Sequence, residues 1–288
     1  MTRAAPGQWR ALAQEELRTF ALAVQFLTRL PASAEEAYSP ERLAASVRHH
    51  PLVGALVGAF CAGVFWLADF ALPGSVAVLL ALAAGLALTG AMHEDGLADS
   101  FDGIGAGANQ GGGQNTDEEV GERGDLQRSR MLDVMRDSRL GTFGATALVM
   151  ALAIKVATLA SLPPLAVCVA LIVGHGLSRL SCIVLMQTSA YVRKDGVATP
   201  MAGRFGLLSW LTVLTTAAVL LVGLFLLLGP LAASLALAGL IAGHTLMRLA
   251  FERQLGGYTG DTLGAVQQAS EIGLYLGVSA SAGAWTSF

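Results

Sequence analysis

Long uncharged apolar stretches alternate in this chain with short breaks that hold either Pro and Gly or clusters of charge. Seven stretches are long enough for the roughly 20 residues of helix that cross a bilayer core. They lie at about 52–72, 75–92, 143–162, 164–187, 207–228, 230–250 and 262–284, and the last is the most polar, with Gln267, Gln268 and Glu271 on it. Ahead of them, residues 8–30 mix Trp9, Leu12, Leu17, Phe20, Val24, Phe26 and Leu27 with charges. That mixture suits an amphipathic helix lying in the interface. It ends at Leu30-Pro31, and Ser33 to Glu41 reads as a loop. The pattern predicts an all-α, polytopic transmembrane helix bundle with an N-terminal amphipathic helix. Residues 1–288 form a single integral membrane domain on this reading.

Composition agrees. Hydrophobic residues make up 54% of the 288 and charged ones 14%, against roughly 25% charged in soluble domains. With no basic cluster and few aromatics, nothing points to nucleic acid. Cys61, Cys168 and Cys182 sit in apolar segments without zinc-site spacing and read as small buried hydrophobes. No uninterrupted apolar core precedes residue 50, so the start does not read as a secretory signal.

Three connections are very short, at 72–75, 162–164 and 228–230, and contain no Lys or Arg. Their Pro and Gly suit tight turns between antiparallel helices. The other connections hold Arg29, Arg42, Arg48, Arg123, Arg128, Arg130, Arg136, Arg139, Arg193, Lys194, Arg204 and Arg253. Alternation puts these on one side, which the positive-inside rule makes cytoplasmic. Residues 105–127 are Gly-rich and then acidic, without periodicity, and read as a flexible cytoplasmic loop.

Two acidic clusters fall on that same side. The first, His93 to Gly103, carries Asp95, Asp99 and Asp102 at i, i+4, i+7, one face of a helix. Like charges so placed repel, and a divalent cation is the simplest partner. Hard cations such as Mg²⁺ take oxygen ligands and usually bridge to phosphates. His93, next to the acids, suits a hydrogen bond to them better than Mg²⁺ ligation. The second cluster holds Asp133 and Asp137, flanked by Arg130, Arg136 and Arg139. Arginine suits bidentate phosphate recognition, although an ordinary salt-bridged helix would show the same residues. A third motif, Gly256-Gly257-Tyr258-Thr259-Gly260-Asp261-Thr262-Leu263-Gly264, offers backbone N–H groups to an anion, with Asp261 as an added ligand. A plain helix-capping loop fits it too. Lys155, midway along one span, needs a partner inside the bundle. Glu271 is one candidate, and substrate contact is the alternative.

Asp99-x-x-Asp102-Gly103 followed by Asp133-x-x-x-Asp137 resembles the CDP-alcohol phosphotransferase signature. The Ala-Arg expected after the glycine is missing, however, and the spacing is too long. The motifs together, in order, resemble the cobalamin synthase family, the adenosylcobinamide-GDP ribazoletransferases. The match runs from Phe26-Leu27-Thr28-Arg29-Leu30-Pro31 and Pro51-Leu52-Val53-Gly54 through the His93–Gly103 motif to Met131–Gly141, and ends on Gly256-Gly257 and Thr259–Ala265. The longer 105–127 stretch and Glu94, where many members carry Leu, depart from the pattern.

The resemblance implies a Mg²⁺-dependent transferase in the bacterial inner membrane, with its active site facing the cytoplasm. Its substrates are adenosylcobinamide-GDP and α-ribazole or its 5′-phosphate. Its products are adenosylcobalamin or its 5′-phosphate, and GMP. The residue chemistry then gives Asp95, Asp99, Asp102 and Asp133 to metal, with Asp102 also counted as catalytic. Asp137 becomes the general base. Arg136, Arg139, Gly257, Thr259 and Asp261 contact substrate. A homo-oligomer is allowed. A CDP-alcohol-phosphotransferase-like phospholipid synthase and a transporter are the rivals, but a transporter's acids would lie near the midplane within inverted repeats. Here they collect at one face, and no repeat is visible.

Overall fold

A computed structural model describes residues 6–31, 38–108, 117–193, 201 and 203–281, with side chains over 10–31, 38–107, 124–193, 201 and 203–281. Its helices are α1 (Pro6–Leu27), α2 (Pro40–Ser46), α3 (His50–Asp69), α4 (Gly74–Thr89), α5 (Met92–Ala108), α6 (Asp117–Val134), α7 (Thr142–Ala160), α8 (Pro164–Thr188), α9 (Leu207–Leu255) and α10 (Gly260–Ala280). A 3-10 turn, Val47–His49, joins α2 to α3. Local chemistry sets several boundaries. The Ser39 hydroxyl accepts the Arg42 N–H and Pro40 opens α2, while Pro164 opens α8.

The 49 residues of α9 would measure about 74 Å as one straight rod, more than twice the roughly 30 Å hydrocarbon core. The chain reverses instead. Gly176 of α8 packs on Leu220, and Ser181, just over a turn further on, hydrogen-bonds His244 at 2.8 Å. Residues 220 and 244 reach neighbouring points of α8 only if the chain turns back between them. It does so at Gly229, whose φ of 83° no β-carbon residue adopts easily, followed by Pro230.

Among the described residues four helices are long and apolar enough to cross a membrane: α3 with its α2 lead-in, α7, α8 and α9. The α4–α5 pair makes a fifth, bent by 88°. With the two arms of α9, each of the seven expected stretches occurs as a helix. The exception in character is α10, which is polar and packed among α5, α8 and α9 rather than apolar throughout. Glycines let backbones touch in these packings: a methyl on Gly54 or Gly58 would run into the α8 carbonyls of His175 and Leu171. Leu207, Leu211, Leu214, Val219 and Leu226 of α9 are exposed, as lipid-facing residues of a multi-pass membrane protein would be.

Lys155 meets Glu271 deep in the bundle, Nζ to Oε1 at 2.8 Å, with side-chain exposures of 2% and 0%. The Tyr275 hydroxyl donates to the same carboxylate at 2.9 Å, and Gln267 donates to its other oxygen at 2.6 Å. Structural pairing, one of the two readings open from the sequence, is what the fold builds for Lys155. Every donor and acceptor here reduces the cost of charge in a region without water.

Two features reshape the acidic region. First, the expected 105–127 loop is largely helix. α5 continues to Ala108, and Asp117-Glu118-Glu119 opens α6, where acids favour the positive end of the helix dipole. Residues 109–116 lie outside the described residues. Second, Gly90 (φ 70°) and Ala91 (φ 58°) break α4 from α5. The bend turns α5 across the end of the bundle, so its carboxylates need not enter the hydrocarbon.

Candidate active site at the charged end of the bundle

The bend lays α5 against the first turn of α10. A methyl on Gly96 would stand 2.6 Å from the Asp261 carbonyl, and one on Gly264 would stand 2.8 Å from that of His93. Only glycine permits this approach, and it sets Asp95 and Asp99 beside Asp261. Gly96→Ala is therefore expected to prise α5 from α10 and cut turnover by about tenfold or more, since small misplacements in a site cost heavily. Turnover in purified membranes, with helicity followed by circular dichroism, checks it.

The start of α10 is locked. Thr259 and Thr262 form a reciprocal capping box, with the Thr262 N–H to the Thr259 hydroxyl at 3.2 Å and the Thr259 N–H to the Thr262 hydroxyl at 2.8 Å. Gly257 lets the Ala190 carbonyl come close. The Tyr258 N–H then donates to Ala190 at 2.9 Å, and the Val192 N–H donates to Tyr258 at 3.0 Å. These groups are engaged within the fold. The helix-capping reading describes Gly257 and Thr259, whose task is to place Asp261. The same bridge brings up Arg193, which pairs with Asp261 at 2.7 Å. The charges acting on Asp99 are the carboxylates of Asp95, Asp261 and Asp102 and the guanidinium of Arg193.

A cavity of about 350 Å³ opens beside this group. Polar side chains in its lining are Asp95, Asp261, Arg193, Arg179, His93 and His50. Apolar ones include Phe26, Leu27, Met186 and Met201. Arg179 is buried, donates from Nη1 to the His175 carbonyl at 2.8 Å, and has no partner at Nε. α1 covers the cavity. It is held by ion pairs Glu15–Arg42 and Glu16–Arg48 and by the Arg29 N–H donating to the Leu88 carbonyl at 2.8 Å.

Asp102, on the same face of α5, has a different neighbour. Its two oxygens accept the Gly141 N–H at 2.7 Å and the Gly144 N–H at 2.8 Å, closing the N-terminus of α7. A carboxylate there meets the positive end of the helix dipole. Asp102→Ala is expected to lower stability by about 1–2 kcal/mol, the scale of a lost cap, read as a lower melting temperature in detergent.

The second cluster stands apart from the cavity. Met131 and Met135 of the α6 region are buried against Gly103, which leaves Asp133 and Arg136 exposed. Asp137 and Arg139 pair with each other in the turn after α6, and the Arg139 guanidinium holds the Asp137 carboxyl below the usual carboxylate range. Among the described residues no three His, Cys, Asp or Glu side chains are set to hold a metal ion. The fold thus brings Asp95, Asp99 and Asp261 together, turns Asp102 toward α7, and leaves Asp133, Arg136, Asp137 and Arg139 on the surface. Arg193 and His50 were missed as site residues. Arg193 counted only as a loop charge, and no spacing ties either to Asp95.

Comparison with known proteins bears on this arrangement. The family model described as cobalamin-5-phosphate synthase matches residues 19–113 and 120–279. An adenosylcobinamide-GDP ribazoletransferase of Leptothrix cholodnii is 40% identical over 275 residues, covering 91% of this chain and 95% of the relative. One from Shewanella frigidimarina is 38% identical over 268 residues, covering 91% and 94%. No solved structure matches the chain. The matched residues span α5, the α6–α7 turn and the start of α10, every segment from which the charged end is built, and the chain belongs to the cobalamin-5-phosphate synthase family.

Proposed function

We propose that this protein catalyses the reaction for which its relatives are named. A hydroxyl of α-ribazole, or of its 5′-phosphate, attacks the cobinamide-side phosphorus of adenosylcobinamide-GDP. The P–O bond to GMP breaks, and adenosylcobalamin or its 5′-phosphate is formed. The observation that carries this reading is the meeting of Asp95, Asp99 and Asp261 beside a covered cavity that also holds Arg179 and Arg193.

These carboxylates fit Mg²⁺ in its usual mode. It keeps several waters and takes one or two protein carboxylates, with substrate phosphates completing the set. A preformed three-residue protein site is not required for that. Asp95 and Asp99 would hold the ion and Asp261 would support it. When bound, Mg²⁺ neutralises the diphosphate and stabilises the leaving oxygen.

The chain's own groups do the rest. Arg193 and Arg179, which line the cavity, would meet the phosphates, and positioning and electrostatics would supply most of the rate. Arg139 is exposed and free to exchange its carboxylate for a substrate phosphate. That exchange would release Asp137, whose turn must then close on the cavity to bring it to the attacking hydroxyl, with Asp133 and Arg136 at the rim. Our reading sets this end on the cytoplasmic side of the bacterial inner membrane, and its basic residues support that orientation.

The test is an assay on purified membranes with adenosylcobinamide-GDP and α-ribazole, in Mg²⁺ or EDTA. Mg²⁺-dependent release of GMP and corrinoid product is expected. Folded protein that makes no product defeats the reading. Arg193→Gln is expected to raise the donor KM about tenfold or more, the scale of a charge-assisted hydrogen bond.

A further inference from the structure

The lining of the 350 Å³ cavity mixes two kinds of side chain, which ask for different chemistry. Asp95, Asp261 and Arg193 suit the phosphates. The apolar side chains are Phe26 and Leu27 from α1, Met186 from α8, and Met201. Phe26 lies flat on His50, their ring centroids 5.7 Å apart and their planes 9° from parallel. His50 is itself 8% exposed, lines the cavity, and has no hydrogen-bond partner at Nε2.

Three pieces of substrate compete for this space. A corrin macrocycle with its amide side chains is far larger than the cavity, which lies near the lower end of the roughly 300–1,000 Å³ range of ligand pockets. A guanine ring carries donors and acceptors around its edge. Against Met, Leu and Phe these would go unmet, at about 1–3 kcal/mol for each buried group. A flat bicyclic ring with few polar atoms suits both the methionine sulfurs, which favour aromatic contacts, and the stacked Phe26–His50 pair.

We propose that the part of the cavity lined by these apolar side chains is the acceptor pocket. It takes the apolar, planar base of the ribonucleoside beside the Phe26–His50 pair, while guanine and corrin stay outside. Entry base-first leaves the sugar toward Asp95 and Asp261, where the attacking hydroxyl is needed. The assignment rests on the reaction proposed above.

Its test uses α-ribazole as probe, with binding followed by benzimidazole fluorescence in the absence of donor and turnover followed with both substrates. Met186→Ala is expected to weaken acceptor binding and raise the acceptor KM about tenfold, the scale of lost apolar contact in a pocket. The donor KM stays unchanged. A riboside with a larger fused ring, naphthimidazole riboside, restores binding to the variant, which general structural damage would not allow. Met201→Ala, on a separate segment, gives the same pattern and serves if Met186→Ala does not fold. A raised donor KM with unchanged acceptor binding overturns the proposal and gives the pocket to the guanylate. If the wild-type protein binds α-ribazole, and the variants weaken that binding, yet no product forms, the reaction fails and the pocket stands.

Discussion

Asp99→Asn is expected to reduce kcat/KM by about a thousandfold, the cost of removing a key electrostatic group from a transition state, and at the same time to make the metal-free protein more heat-stable. Both effects have one origin. Asp99 stands half-buried among Asp95, Asp261 and Asp102, with Arg193 as the positive charge acting on it. Without a cation these acids repel, and removing one charge relieves the fold. In the proposed Mg²⁺ complex, relief of that repulsion would add to the affinity for the ion. Adding Mg²⁺ should therefore raise the melting temperature of the wild type, by linkage, and leave that of Asp99→Asn nearly unmoved. A variant that remains active, or one that melts lower without metal, would show that Asp99 serves the fold and not the reaction.

Lys155→Met carries the largest expected loss of stability. Lys155 and Glu271 are both excluded from solvent and 2.8 Å apart. Removing the lysine leaves the buried Glu271 carboxylate without its cation, at about 3–5 kcal/mol. Glu94 is 3.9 Å from the lysine and too distant to replace Glu271 fully. The double variant Lys155→Met with Glu271→Gln should recover most of the loss, because Gln can still pair with Gln267 and Tyr275. Denaturation of the purified protein in detergent gives the cycle. Additive losses in the double variant would mean that the two charges do not depend on each other.

The membrane character and the helices were legible in the chain because they rest on local quantities. Apolar runs of spanning length need no knowledge of neighbours, and Pro73, Pro163 and Gly229-Pro230 mark turns by backbone geometry alone. The acids at 93–103 were legible as a candidate group for a similar reason, since charge beside apolar helix demands a use. The Gly-rich, acidic stretch was misjudged as loop over 117–127. Its composition lacks a hydrophobic period, yet acids at a helix start need none.

Which acids share a site was beyond the sequence. Helical spacing groups Asp95, Asp99 and Asp102 equally, and the two clusters invite a single centre. The 88° break at Gly90-Ala91 decides otherwise by turning α5 across the bundle. Asp95 and Asp99 then meet Asp261, about 160 residues away in the chain, while Asp102 reaches the open N–H groups of α7. Arg193 and His50 join through a backbone bridge and a helix end that no periodicity announces. The sequence by itself determined a helical membrane protein with acidic chemistry at one face, because burial, turns and charge cost are properties of short segments. The tertiary structure alone decided the composition of the site, because a bend of two residues and the contact of two glycines set distances between segments remote in the chain.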